Sequence, residues 1–482
     1  MQPTVDLHAL APEIVLSVTI LVVLVVDAFL PMSRRWLALP LAVSGLVATF
    51  VAVLTLVGEE RITLAGAFVV DDFALLFKGF FLVVGLAVLV LSSRTTRSET
   101  PYPGEYTFLL LCSFLGCLVM PSVRDMLTLF IAIELVSAPA FILAAFRKGD
   151  LRSNEAGLKF FLFGVIASAV MLYGMSLLYG LTGSTGFGQI AGGLARMGPE
   201  PAAAAAVLFV LGGLAFKVSA VPFHFWAPDT YEGAPIPVAA YLSVASKAAG
   251  FVGLALLCFL AFAPLAPTWT PVVAIVSVLT MSLGNLVALQ QRHIVRLLSY
   301  SSIAQAGYML LPFALVGTSA ETSADALAAV AIYIIIYAAM NLGAFAVVVG
   351  LSREVPSGMI AEYSGLFRRA PLMAVAMSAF LISLAGIPPA AGFWAKFFVF
   401  RVAIEAGGMG PWLAGFMVVN SVVGLFYYLA VVRTMLRTET AGEPISIDRS
   451  VKAVVAVAAV LVVAWFVLPD LVVNLTRGFT GG

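Results

Sequence analysis

Apolar residues come in long, nearly unbroken runs, each closed by a short polar loop. The runs show neither the two-residue alternation of a half-exposed strand nor the narrow stripe of a surface helix. A membrane-crossing helix needs about 20 apolar residues. Candidate spans fall at 10–31, 37–57, 73–92, 106–122, 125–146, 154–181, 203–227, 236–262, 271–290, 294–317, 323–350, 371–401, 411–437 and 451–470. The pattern predicts an all-α integral membrane protein of about fourteen helices. A β-barrel would show alternating segments of about ten residues instead.

Composition removes the other classes. Of 482 residues, 62% are hydrophobic and only 11% charged, with mean hydropathy +1.08. A soluble domain carries about 25% charged residues. Disorder requires low hydrophobicity and high charge. A net charge of +1 lacks the basic face that nucleic acid requires. The three cysteines, Cys112, Cys117 and Cys258, lie within apolar runs, without the grouped ligands of a zinc or iron–sulfur site. No basic residue precedes the first apolar run, so that run is expected to stay as a helix and not act as a cleaved signal.

Where the charges sit says more than how few they are. Alternate loops carry Arg34, Arg35, Arg94, Arg97, Arg147, Lys148, Arg152, Arg292, Arg296, Arg353, Arg368, Arg369, Arg433, Arg437, Arg449 and Lys452. The opposite loops and tail hold Arg61, Arg124, Arg196, Arg401 and Arg477. Basic loops stay in the cytoplasm. The first set is therefore expected inside, with both termini on the periplasmic face. One inner loop, around Asp229 and Glu232, has no basic residue of its own.

Five basic residues remain: Lys78, Lys159, Lys217, Lys247 and Lys396. All are lysines and all fall within spans. A charge at mid-bilayer costs about 2.5–3.5 kcal/mol on insertion scales. Lysine, unlike arginine, can release its proton when buried. Lys78 sits near its helix start beside Asp71 and Asp72, where snorkelling to the interface is expected. Lys159 follows Glu155 by four residues, the spacing of a surface ion pair. Lys217 and Lys396 lie deep in their spans, and Lys247 lies roughly 15 Å deep at about 1.5 Å per residue. Glu134 is the acid at comparable depth, so a Glu134–Lys217 pair is the natural accommodation.

Two spans are punctuated by proline. One reads FKVSAVPFHFWAPD at 216–229 and the other GIPPAAGFWAK at 386–396. Broken helices at membrane depth are tolerated where they are buried in protein or line a wet cavity. Trp226 and Trp394 lie five spans apart, so the two breaks run in opposite directions, as inverted repeats require. His224 stands on the first break, either as a proton relay or as a hydrogen-bonding group for freed carbonyls. The polar run from Ser299 to Tyr308 either hydrates a path or binds helices together.

These residues resemble a known family. WAPDTYEGAPIPV at 226–238 with SKAAG at 246–250, RLLSYSSIAQAGY at 296–308, and the break at 386–396 are together similar to subunit N of proton-pumping NADH–quinone oxidoreductase (complex I). Lys396 departs from the M subunit, which has Glu there, and the chain is too short for L with its lateral helix. The resemblance implies two inverted five-helix repeats, 106–262 and 271–437. Three helices in 1–105 precede them, and one helix and a tail in 438–482 follow. It implies Glu134 and Lys217 as an input pair, Lys247 as a central relay, Lys396 as the exit group and Lys159 as a contributor near a subunit junction. It places the chain in a bacterial inner membrane beside M-type and small membrane-arm subunits. No cofactor is expected in this chain; NADH, FMN, iron–sulfur clusters and quinone are expected in partner subunits. The rival reading is a subunit of a cation/proton antiporter without a redox module.

Overall fold

The computed structural model describes residues 5–96, 102–437 and 443–479. Arg97 and both chain ends, and with them the expected siding of the termini, lie outside these. The described residues are overwhelmingly helical, with eleven helices long and apolar enough to cross a membrane. The expected spans at 203–227, 294–317 and 371–401 are not among the eleven. The first and third are interrupted, leaving the shorter apolar helices Pro201–Lys217 and Pro371–Ala385. In the second, the α-helix Ile294–Leu310 passes into a 3-10 turn, Leu311–Leu315.

The chain divides into two compact units, Met1–Val218 with Gly233–Trp269, and Ser219–Glu232 with Thr270–Gly482. The boundary falls at the first proline-marked break.

In the first unit, acidic residues at loop ends fix where helices begin. The Asp71 carboxylate accepts the Ala74 amide at 2.8 Å and caps Asp72–Arg94. Its other oxygen accepts Arg124 Nη2 at 2.5 Å. Asp125 accepts the amides of Leu127 and Thr128 and caps Met126–Ala144. Asp150 caps Leu151–Thr182, which ends at Gly183 in the left-handed conformation (φ +71°). Each such cap contributes about 1 kcal/mol. A short hairpin pairs Arg61–Thr63 with Phe68–Val70. Ile236–Ala261 is a continuous helical span with two π-helical segments, Leu242–Ser246 and Leu257–Ala261.

Lys78 does not snorkel. Its side chain is fully buried, and Nζ donates to Glu13 Oε1 at 2.6 Å on the first helix. It also lies 4.7 Å from the centre of the Phe68 ring. The expected neighbour Asp71 is already engaged by its own helix and by Arg124. Pairing with Glu13 replaces solvation as the way to hold this charge.

In the second unit, the 32-residue helix Ala320–Leu351 is almost wholly buried. Ser319 caps it by accepting the Thr322 amide. Against it pack Ile294–Leu310, Pro371–Ala385, Gly392–Ala406 and Arg449–Val467, and Gly410–Leu436 packs on Pro371–Ala385 and Gly392–Ala406.

Candidate functional site

The first break begins where Pro201–Lys217 ends. Ser219 takes a positive φ of 58° and Val221–Pro222 is cis. Lys217, the last residue of that helix, is 3% exposed. Its Nζ donates to Ser137 Oγ at 2.7 Å. Ser137 lies three residues beyond Glu134, on the same face of Met126–Ala144. Glu134 itself accepts a 2.5 Å hydrogen bond from Ser168. Lys217 thus bonds to the helix face that carries Glu134, but among the described residues the two form no direct ion pair. Serines hold both ends.

Lys247 is 2% exposed and follows directly on the first π segment. One turn further, Gly250 packs against Lys217. A Cβ at Gly250 would stand 3.0 Å from both Lys217 Cγ and Val218 Cγ1. The helix bearing Lys247 therefore touches the Lys217 stem, and it does so because Gly250 has no side chain. Lys159 is different. It is about one-third exposed and pairs with Glu155 at 2.7 Å, the surface pair its spacing predicts.

In the second unit the other break follows Pro371–Ala385. Gly386 (φ +84°) turns the chain and Pro388–Pro389 is cis. Breaking a helix frees carbonyls that would have accepted amides one turn on. Lys396 uses one of them: its Nζ donates to the Ala385 carbonyl at 2.9 Å and lies 4.6 Å from the centre of the Tyr308 ring. Lys396 is 9% exposed.

A buried polar network surrounds that contact. Gln305 donates to the Leu384 carbonyl at 2.9 Å and accepts from Tyr333 at 2.5 Å. Ser301 and Tyr428 share a 2.5 Å hydrogen bond. Tyr337 donates to Ser302 at 2.9 Å. Asn285 donates to Tyr308 at 2.9 Å and accepts from Tyr427 at 3.0 Å. The polar run at 299–308 therefore binds helices together and bonds to the broken end beside Lys396. Tyr333, Tyr337, Tyr427 and Tyr428 escape a reading of the sequence because each stands singly or paired in an apolar run. Their signal is the four-residue spacing of Tyr333 and Tyr337.

His224 lies on the first break, 3% exposed, with its ring centre 4.4 Å from that of Phe225. Its Nδ1 is buried without a hydrogen-bond partner. The acidic loop nearby is answered from within the same unit. Arg296 Nη1 donates to Asp229 at 2.8 Å and Glu232 at 3.0 Å. Among the described residues no group of three or more His, Cys, Asp or Glu could hold a metal.

Residues 123–424 match the family model described as NADH:quinone oxidoreductase/Mrp antiporter, TM. A helical membrane protein of the antiporter-like class is what fold and match define. The chain is 38% identical over 480 residues to NADH-quinone oxidoreductase subunit N of Trichlorobacter lovleyi, covering 99% of this chain and 96% of that one. It is 43% identical over 441 residues to subunit N 2 of Streptomyces griseus, covering 88% and 82%. A chain of respiratory complex I from Thermus thermophilus with bound aureothin superposes with TM-score 0.79 at 31% identity, covering 97% and 99%. A chain of the Mrp complex from Dietzia sp. gives TM-score 0.85 at 22% identity over 98% and 97%, a likeness of fold alone. The chain belongs to the NADH-quinone oxidoreductase subunit N family.

Proposed function

We propose that this chain moves protons across the membrane through Glu134, Lys217, Lys247 and Lys396, driven by NADH oxidation and quinone reduction in other subunits of the same complex. One observation carries the reading: three deeply buried lysines, each at or next to an irregularity in its helix. Lys217 ends a helix at a break, Lys247 follows a π segment, and Lys396 bonds a carbonyl at a break. A carboxylate beside an ammonium favours its charged form, and withdrawing the carboxylate in a dry site disfavours it. In the scheme, Glu134 approaches Lys217 and holds a proton there. When Glu134 turns back to Ser168, the proton passes to Lys247 and then to Lys396. His224 exchanges protons at the first break, and Lys159 tunes the entry side.

The architecture proposed with it has fourteen helices: three in 1–105, inverted repeats at 106–262 and 271–437, and one more in 438–482. Similar punctuation of the two breaks, proline followed by Phe225-Trp226-Ala227 in one and Phe393-Trp394-Ala395 in the other, supports the repeat. The excess of arginine and lysine on one set of loops supports a cytoplasmic side for that set and a periplasmic side for both termini, in a bacterial inner membrane. M-type and small membrane-arm subunits are the proposed neighbours. NADH, FMN, iron–sulfur clusters and quinone are proposed to reside in partner subunits.

The test is NADH-driven proton translocation in membranes carrying Lys217→Ala or Glu134→Ala. Loss of translocation supports the reading, and unchanged translocation overturns it. Purification of the intact complex with its NADH dehydrogenase activity separates it from an antiporter that works without a redox module.

A further inference from the structure

The second unit contains a cavity of about 690 Å³ at one end of Gly410–Leu436. That is within the range of about 300–1,000 Å³ typical of small-molecule sites. It takes no part in the proposed proton path. Its lining is divided by chemistry. Arg292 and Arg437 stand at the polar end with Thr434. Phe426 and Val431 continue it along Gly410–Leu436, and Leu289 lines it from the turn that leads to Arg292. Among the described residues no Asp or Glu lines it. Among the described residues neither guanidinium forms an ion pair, and both side chains are exposed. Leu289 and Phe426 are exposed as well, Phe426 by 65%.

The floor is braced. The Arg292 carbonyl accepts the Ile360 amide at 2.8 Å, and the Ile294 amide donates to the Gly358 carbonyl at 2.8 Å. Arg292 is thus held at a fixed helix start.

We infer that this cavity binds an anionic glycerophospholipid, with its phosphate between Arg292 and Arg437 and an acyl chain along Leu289, Phe426 and Val431. Charge complementarity selects the occupant. Two guanidiniums that have no ion-pair partner among the described residues favour a phosphate, which arginine recognises in a bidentate way. The apolar continuation requires that the phosphate carry a hydrocarbon tail. Basic pockets between membrane helices on the cytoplasmic side are the setting in which anionic headgroups dock, and both arginines belong to the set of loops assigned to that side.

The experiment uses the intact complex in native membranes and two photoreactive probes, a phosphatidylglycerol and a phosphatidylcholine with the same acyl chains. Crosslinked peptides are mapped on this chain. Adducts of phosphatidylglycerol near residues 289–297 or 426–437, at least about tenfold above phosphatidylcholine, are expected; tenfold corresponds to about 1.4 kcal/mol. R292Q/R437Q is expected to abolish that preference and R292K/R437K to keep part of it. Equal labelling by both probes, absence of labelling, capture of a neighbouring subunit's peptide in its place, or full labelling in R292Q/R437Q each overturns the assignment. The two-probe comparison needs no variant, so it decides the question even if R292Q/R437Q does not assemble.

Discussion

Lys217 reaches Ser137, and Glu134 is turned away to Ser168. The base reaches the helix face that carries the acid without touching the acid. A single serine, one turn from the acid, takes the ammonium's hydrogen bond. In the proposed scheme the pair has a joined and a parted arrangement, and the structure shows the parted one.

Ser137→Ala removes that acceptor. A hydrogen bond to a charged group contributes about 1.5–3 kcal/mol. NADH-driven proton translocation is expected to fall while the complex still assembles, and Ser137→Thr is expected to restore most of it. Translocation and subunit content in membrane vesicles check both.

Gly250 admits the Lys217 stem at van der Waals distance. Gly250→Val forces the lysine aside, an overpacking that costs about 1–3 kcal/mol. Gly250→Ala needs a shift of only a few tenths of an ångström. Translocation is expected to fall in the order Gly, Ala, Val, with electron-transfer activity compared in the same vesicles.

Gly386 plays the same part for Lys396 and also carries a positive φ. A Cβ there would lie 2.6 Å from Lys396 Cδ. Gly386→Ala combines a clash with a backbone that L-residues disfavour. It is expected to break the Lys396–Ala385 contact and reduce translocation more than Gly250→Ala, measured in the same vesicles.

The Glu13–Lys78 pair holds the first helix to the third. Removing one partner leaves a buried charge and costs about 3–5 kcal/mol, whereas replacing both with apolar residues is often near neutral. Glu13→Leu and Lys78→Met are each expected to lower the melting temperature of the complex. The double substitution is expected to return it close to the starting value. A double as unstable as the singles would contradict a paired role.

Depth was legible where a single run of residues determines it. Lys217 and Lys247 stand too far from a span end to reach water easily, Lys396 lies nearer one, and all three are buried. Lys78 was misread because its partner is 65 residues away and the acids beside it in sequence looked sufficient. The breaks were legible from proline, yet they hid two spans from a length criterion, and a 3-10 turn at Leu311–Leu315 hid a third. Ser137 was legible only in part. Its face follows from helical periodicity, but which of two neighbours a lysine chooses depends on packing that one helix does not encode. Likewise, the Ala385 carbonyl is invisible to any reading of side chains, although the break that frees it is plain. The acidic loop at Asp229 and Glu232 looked anomalous because Arg296, which pairs with both, is distant in sequence.

The most direct measurement is proton translocation per NADH oxidised, in vesicles containing the intact complex with Lys217→Ala. A positioned proton-transfer group acts on a scale of about a hundredfold or more. Translocation through this chain is expected to be lost, lowering the protons moved per NADH or stopping turnover with them. Full NADH oxidation with an unchanged proton yield would contradict a path through the buried lysines.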